Sequence, residues 1–117
     1  MIRLKDVLDL LNAELLTEDA SLDIQCREVF ASDLMSDVLA SAEPGSLLLT
    51  GLANNHVVST CSVADLAAVV FVLGKRPGPE VIAEARARKL PLIATPLTMF
   101  EACSRLAGLI GDKRGGG

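Results

Sequence analysis

The chain has 117 residues, half of them hydrophobic, and a formal net charge of −4. This length suits one domain with one core, and the acidic balance disfavours a nucleic-acid surface, which needs clustered Lys and Arg. The only aromatic residues are three Phe, so no Trp or Tyr is present to stack on a base or a sugar. No apolar run approaches the about 20 residues that span a bilayer. Neither nucleic acid nor a membrane is therefore expected as a partner.

The three cysteines indicate a reducing compartment. Cys26, Cys61 and Cys103 are odd in number, scattered, and without C-x-x-C spacing, which predicts reduced thiols packed as small hydrophobic residues. Charges interrupt residues 1–6, so we expect no secretory signal there. Together these features predict a cytoplasmic protein.

The first quarter of the chain predicts one helix and then a segment with open alternatives. Leu and Val recur at helical spacing over residues 3–12, which predicts an amphipathic helix. Residues 15–17 either extend this helix or begin a short edge strand, and residues 22–25 suit a strand or a loop.

A strand, a helix and a second strand follow. Residues 28–31 predict a strand, and Ser32 and Asp33 are both N-cap candidates for a helix from Leu34 to about Ala42. After a Pro-Gly turn, residues 46–50 predict a buried strand that Gly51 closes.

Residues 53–65 predict a helix whose polar face carries no formal charge. Its apolar face is Ala53, Val57, Cys61 and Ala64, and its polar face is Asn55, His56, Ser59, Thr60 and Ser62. A solvated helix face usually carries Lys and Glu. Either this face packs on another subunit or a ligand, or the helix is short and partly β-like because many of its residues are β-branched. On the first interpretation, these five polar residues form the interface of a homo-oligomer, with a dimer favoured.

The stretch 66–101 predicts a βαβ unit. The uncharged run 66–73 suits a strand covered on both faces, Pro79 suits the first position of a helix to Lys89, and residues 92–95 suit a second strand. With such short connections, the two strands should run parallel with a right-handed crossover.

The last helix should begin at a capping box formed by Thr98 and Glu101. Its predicted docking face extends to Ile110 and is widened by Phe100 and Ala107. We expect a single domain over residues 1–111 and a flexible tail over residues 112–117.

The carboxyl ends of the predicted strands should meet at one edge of the sheet, which is where α/β sheets bind ligands. The polar and turn residues that collect there are Ser32, Asp33, Thr50, Gly51, Asn54, Lys75, Arg76 and Thr95. A nucleotide or another small anionic metabolite is the expected ligand class, with Lys75 and Arg76 as the cations. Capping, turn formation or a place before proline explains most of these residues equally well.

No catalytic constellation is evident. The phosphate-binding motifs G-x-x-x-x-G-K-[ST] and G-x-G-x-x-G are absent. His56 is the only histidine, and the nearest candidate ligand, Cys61, lies off its helical face. We therefore expect no enzymatic activity, no metal and no cofactor.

Several strings together resemble a known family. They are VLDLL at 7–11, SDLMSDVLA at 32–40, LLLTGL at 47–52, AAVVFVLGKRP at 67–77 and TMFEAC at 98–103. The chain resembles the stand-alone DRTGG-domain proteins of anaerobic bacteria and archaea, which are similar in turn to the N-terminal domain of HPr kinase/phosphorylase. Where the naming motif would carry Thr-Gly-Gly, this chain has Leu73-Gly74-Lys75.

The resemblance implies a three-layer α/β domain, like that of HPr kinase, with a small, mainly parallel sheet flanked by helices. The kinase's P-loop part is missing, so kinase activity is not implied. What is implied is a non-catalytic regulatory or assembly module that self-associates, accessory to redox or hydrogenase metabolism and with a protein partner there. The alternative is a sensor that binds a nucleotide or an anionic metabolite at the carboxyl-end edge of the sheet.

Overall fold

A computed structural model describes residues 1–113. In chain order its elements are β1 (Ile2–Arg3), α1 (Leu4–Leu10), β2 (Glu14–Leu15), β3 (Gln25–Cys26), β4 (Val29–Ala31), α2 (Met35–Ser41), β5 (Leu47–Thr50), α3 (Asn55–Val63), β6 (Ala68–Phe71), α4 (Pro79–Ala87), β7 (Leu92–Ala94) and α5 (Met99–Lys113). None of the helices in this described part is long and apolar enough to cross a membrane.

The main sheet has five strands in the order β2-β7-β6-β5-β4. The strands β4, β5, β6 and β7 run parallel, and β2 pairs antiparallel with β7. Each parallel connection steps the same way across the sheet, so crossovers of one hand place α2, α3 and α4 on the same face. The predicted parallel βαβ unit is confirmed.

The sheet separates two apolar layers because side chains alternate along each strand. In β5, Leu48 packs with α2, α3 and α4, whereas Leu47 and Leu49 pack with α1, α5, β1 and β3. Every residue of β5, β6 and β7 is buried, as expected of strands covered on both faces. The predicted three-layer α/β fold is confirmed.

The two segments left open by the sequence form short strands. Glu14–Leu15 is the antiparallel edge strand β2, so residues 15–17 do not extend the first helix. Gln25–Cys26 pairs with Ile2–Arg3 in a separate two-stranded sheet, and the residues just before it form turns and irregular backbone.

Three helices end in a left-handed residue that is not glycine. Asn12, Asp65 and Lys89 have φ of 50°, 58° and 58° and follow α1, α3 and α4. In each case the N–H of the next residue bonds to the carbonyl five residues earlier, as in the 2.9 Å bond from the Leu66 N–H to the Cys61 carbonyl. These are Schellman motifs, and the leucines that follow α3 and α4 are buried.

The N-terminal cap predicted for α5 is present, whereas the one predicted for α2 is not. Thr98 and Glu101 form the predicted capping box, with bonds of 2.9 and 3.1 Å. The pKa of Glu101 is lowered by the Thr98 backbone N–H, which donates to its carboxylate, and by the Thr98 side chain. In α2, however, the N-cap is Leu34 and no side chain caps it. The N-cap prediction for Ser32 and Asp33 is wrong because the Asp33 carboxylate bonds to the end of β5 instead.

The docking face of α5 is narrower than predicted. Ala102 and Leu106 are buried, but Phe100 is 80% exposed and Ala107 is also exposed, so neither widens that face. The helix continues to Lys113, past the predicted end at Ile110 and into the predicted tail. The rest of that tail, residues 114–117, lies outside the described residues.

The cysteines should differ in reactivity. Burial raises the pKa of the Cys26 thiol to about 11 and that of Cys61 to about 12. It also raises the pKa of Cys103, which is only partly buried. Because the accessible thiolate is the reactive form, we expect an alkylating reagent at about pH 8 to modify Cys103 first. Peptide mass spectrometry with and without denaturant checks this; early modification of Cys61 in the folded protein would contradict it.

Candidate functional site at the carboxyl edge of the sheet

Four parallel strands end at one edge of the main sheet. Asp33 lies just after β4, Thr50 ends β5, Lys75 lies in the loop after β6, and Thr95 follows β7. The antiparallel strand β2 brings Glu14 to the same edge, where it pairs with Ala94.

The Asp33 carboxylate links two of these strand ends. Its Oδ1 accepts hydrogen bonds from the Thr50 hydroxyl at 2.9 Å and from the Gly51 N–H at 2.6 Å. The buried Thr50 hydroxyl also accepts from the Leu52 N–H at 3.1 Å. Asp33 therefore fastens the loop after β4 to the loop after β5.

Lys75 adds a positive charge to this position. A Cβ at Gly51 would lie 3.6 Å from both Asp33 carboxylate oxygens and 3.9 Å from the Lys75 Nζ. Among the described residues Lys75 forms no ion pair or hydrogen bond through its side chain. The residues Asp33, Thr50, Gly51 and Lys75 thus form one group, the Asp33 cluster, around space that the missing side chain of Gly51 leaves open.

Three of the remaining predicted site residues have structural partners. The Ser32 hydroxyl accepts from the Leu34 N–H at 3.0 Å. The Asn54 side chain accepts from the His56 N–H at 3.0 Å and caps α3. Arg76 forms a two-pronged pair with Glu14, one contact being 3.3 Å, and this pair lowers the pKa of Glu14 through the hydrogen bond and the charge of Arg76. Sequence reasoning missed Glu14, because Glu14 is positioned by the short edge strand β2, whose segment had no clear pattern.

Thr95 belongs to the core of the fold. It is fully buried. Its hydroxyl donates to the Leu11 carbonyl at 2.7 Å and accepts from the Leu97 N–H at 3.3 Å. The Thr95 hydroxyl therefore already uses its donor and one acceptor position within the fold, which leaves little of it for a ligand.

Three clefts of the described structure are small. One of about 190 Å³ lies at the strand ends beside Glu14, Gly74 and Arg76. Another of about 290 Å³ lies between the amino ends of α3 and α4, beside Asn54 and Glu80. A third of about 280 Å³ lies near Asp19 and Arg86, which form an ion pair of 3.2 Å. All three fall below the range of roughly 300–1,000 Å³ that is typical of small-molecule sites.

The outer face of α3 is polar and uncharged, as the sequence predicted, with one correction. Asn55, His56, Ser59 and Ser62 are exposed, and Val63 is 77% exposed. Thr60 is only 3% exposed, because it follows Val57 by three residues and shares its buried side. Within residues 1–113, no three His, Cys, Asp or Glu side chains are grouped to hold a metal ion.

The loop after β6 holds a leucine where a leucine is unfavourable. Leu73 and Gly74 have φ of 58° and 65°, and the Lys75 N–H bonds to the Val72 carbonyl at 3.1 Å. Positive φ at both central residues is the pattern of a type I′ turn, which favours Asn, Asp or Gly. Leu73 is also 58% exposed, so burial does not compensate for its conformation.

We expect Leu73→Asn to stabilise the protein by about 0.5–1 kcal/mol, since Asn tolerates the left-handed region that costs other residues about 1–2 kcal/mol. Leu73→Ala is the matched control, because it removes the side chain but keeps the strain. Urea denaturation of the two variants checks this. Equal stability of the two variants would contradict the strain at position 73.

This fold, with its polar loops at the ends of parallel strands, defines a small three-layer α/β domain without an obvious catalytic centre in its described residues. The chain belongs to the DRTGG domain family, whose model matches residues 6–109. The family resemblance found in the sequence is thereby confirmed, while the similarity to HPr kinase stays a prediction. No curated protein matches the chain.

Among solved structures, the chain is similar to the crystal structure of the CBS and DRTGG domains of the regulatory region of Clostridium perfringens pyrophosphatase, complexed with its activator diadenosine tetraphosphate. The TM-score is 0.73 and the identity 19%, over 89% of this chain and 45% of that chain. The chain thus spans less than half the length of that solved chain, and the likeness shows a shared fold.

Proposed function

We propose that the protein is a non-catalytic regulatory module that self-associates as a dimer and uses the outer face of α3 as its interface. The observation that carries this proposal is that four polar residues of α3, Asn55, His56, Ser59 and Ser62, are exposed and carry no charged neighbour on that helix. Interface cores are depleted of charged residues. A face of this kind is cheaper to remove from water than a charged one.

Two further features support this proposal. Val63, at the end of α3, adds an exposed apolar side chain next to the polar residues. The structural neighbour is the regulatory region of an enzyme, and its DRTGG domain is one part of a larger chain. A DRTGG domain that regulates by contact needs a surface for another protein, and the α3 face is suited to that purpose.

A single added charge tests the interface. We expect the parent protein to sediment as a dimer at tens of micromolar and Ser59→Glu to shift it to monomer, because the carboxylate would have to be buried without a partner. Ser104→Glu is the matched control, since Ser104 is an exposed serine on α5. A parent that is monomeric at this concentration, or equal dimerisation of both variants, would rule out the α3 interface.

A role beside redox or hydrogenase components is a further expectation from the family resemblance. It predicts that the parent protein captures such components from an extract of an anaerobe, and that Ser59→Glu captures less of them than Ser104→Glu. Equal capture by the two variants would show that the α3 face does not bind them.

A second candidate function is a sensor for a nucleotide or another anionic metabolite at the Asp33 cluster. The observation in its favour is the Lys75 ammonium, which stands beside Gly51 without an ion pair among the described residues. The solved neighbour binds diadenosine tetraphosphate. Against it, the Asp33 carboxylate already accepts from the Gly51 N–H and the Thr50 hydroxyl, the donors that a phosphate would need.

A thermal-shift screen with nucleotides separates the two functions. A ligand at a hundred times its dissociation constant should add about 2.7 kcal/mol to the free energy of unfolding. If the cluster is the site, Asp33→Ala should bind an anion more tightly than the parent protein, and Lys75→Ala less tightly. If neither the parent protein nor Asp33→Ala shifts with any nucleotide, the sensor function fails and the assembly function is unaffected.

A further inference from the structure

The outer strand of the main sheet presents unpaired backbone groups. The strand β4 is last in the sheet order, and its one strand neighbour is β5. The inward bonds of this pairing are made by alternate residues, as in the 2.8 Å bond from the Leu47 N–H to the Glu28 carbonyl and the 3.1 Å bond from the Ser32 N–H to the Leu49 carbonyl. The N–H and C=O groups of Val29 and Ala31 therefore point away from the sheet, and no partner for them is found among the described residues.

Apart from its short length, this edge lacks the usual protection against pairing. Natural edge strands are blunted by being very short or by Lys, Pro, a bulge or a covering element, and β4 has only three residues. The strand β4 is Val29-Phe30-Ala31, with an unbroken register against β5, and Ala31 is exposed while Val29 and Phe30 are half-buried. The chemistry that fits such an edge is another extended strand.

An apolar surface adjoins the edge. The helix α2 follows β4 directly and packs beside α3 on one face of the sheet, so it is the outermost helix of that layer. Leu34, the N-cap of α2, is 58% exposed, and Leu39, within the helix, is 52% exposed. A strand-to-strand contact at this edge would also bring these leucines close to the second molecule, and their burial would add to the backbone hydrogen bonds.

The charges around β4 select the orientation. Arg27 lies two residues before the strand and Asp33 two residues after it, and both are exposed. Among the described residues Arg27 forms no ion pair. Antiparallel pairing of two copies centred on Phe30 would place Arg27 near Asp33 of the second copy, twice, whereas parallel pairing would place like charges together. An antiparallel arrangement is also the two-fold symmetric one that closes a dimer.

From these observations we infer that β4 pairs antiparallel with β4 of a second copy, joining two five-stranded sheets into one continuous sheet. In this pairing Val29 exchanges both backbone hydrogen bonds with Ala31 of the second copy. The inference rests on the proposed self-association but assigns it a different contact: because one two-fold contact closes a dimer, β4 pairing is the alternative to the α3 face.

Ala31→Pro tests this contact. Its N–H points outward, so proline removes a hydrogen bond between copies but none within the monomer. We expect the dissociation constant of the dimer to rise about tenfold or more while far-UV circular dichroism stays that of the parent protein. Ala31→Lys, which adds a gatekeeper charge without restricting the backbone, is a second variant in case the proline disturbs the fold. Dimerisation of the lysine variant as tight as that of the parent protein would overturn the inference.

Hydrogen exchange of the parent protein gives an independent readout. The Val29 and Ala31 amides should exchange quickly at concentrations where the monomer dominates and become protected where the dimer dominates; no protection at high concentration would overturn the inference. The two proposals fail differently. A monomeric parent protein excludes both. If Ser59→Glu loses the dimer and the two Ala31 variants keep it, β4 pairing is excluded. If Ala31→Pro and Ala31→Lys lose the dimer and Ser59→Glu keeps it, the α3 interface is excluded.

Discussion

Phe71→Ala should lower the free energy of unfolding by about 3–5 kcal/mol, which is the range for truncating a buried aromatic side chain. Phe71 ends the central strand β6 and is fully buried among residues that join the sheet to α2, α3 and α4. Truncation would leave a cavity between two layers that cannot close, because the strands on both sides of β6 are themselves paired. Single domains are stable by only about 5–15 kcal/mol, so the loss is a large share of the total.

The same change at Phe100 is the matched control. Phe100 is 80% exposed, so Phe100→Ala should stay within about 0.5 kcal/mol of the parent protein. Urea unfolding followed by far-UV circular dichroism measures both variants, since the chain has no Trp or Tyr to report by fluorescence. A loss at Phe100 as large as the loss at Phe71 would mean that α5 docks as the sequence pattern suggested and not as the structure shows.

The buried strands were predictable because their signals are local. A short uncharged run that is rich in Val and Phe and bounded by Gly, as at residues 66–73, favours a buried strand over a helix, and β6 occupies residues 68–71 of it. The start of α4 at Pro79 and the capping box at Thr98 are likewise written in adjacent residues. The order of the parallel strands then follows from short connections and a fixed crossover hand.

The errors concern contacts between residues that are distant in the sequence. Asp33 satisfies the pattern of an N-cap. Its carboxylate instead accepts a hydrogen bond from the backbone N–H of Gly51, which follows β5 and lies 18 residues away in the sequence. The sequence indicates Arg76 as a cation available to a ligand. In the fold it pairs with Glu14 of β2, which is 62 residues away in the sequence. Both contacts engage charged side chains of the predicted ligand edge, so a ligand there would have to share or displace them.

Leu73 shows a different limit. The uncharged run 66–73 predicts that Leu73 belongs to the strand, but β6 ends at Phe71. Nothing local indicates that residue 73 takes a positive φ together with Gly74. Positions that are strained and exposed at once are often retained for function. Leu73 lies in the loop after β6, at the same sheet edge as the Asp33 cluster, so the stabilised Leu73→Asn variant is also the one in which to look for lost binding.

Thr95→Val should destabilise the protein by roughly 2–4 kcal/mol, although valine has nearly the same shape and is less polar. The hydroxyl of Thr95 satisfies the carbonyl of Leu11 and the N–H of Leu97, and a buried polar group left without a partner costs about 1–3 kcal/mol.

Thr95→Ser separates the hydroxyl from the methyl group. It keeps both hydrogen bonds and loses one buried methyl, so it should cost only about 1 kcal/mol. If Thr95 served a ligand instead of the fold, Thr95→Val would unfold at the urea concentration of the parent protein and would differ from it only in a nucleotide thermal shift. Because the Thr95 hydroxyl bonds to Leu11 and Leu97, we expect the free energy of unfolding to be lowest for Thr95→Val, intermediate for Thr95→Ser and highest for the parent protein. In that case the carboxyl edge of β7 holds the end of α1 against the sheet, and the polar groups left for recognition at this edge are those of the Asp33 cluster.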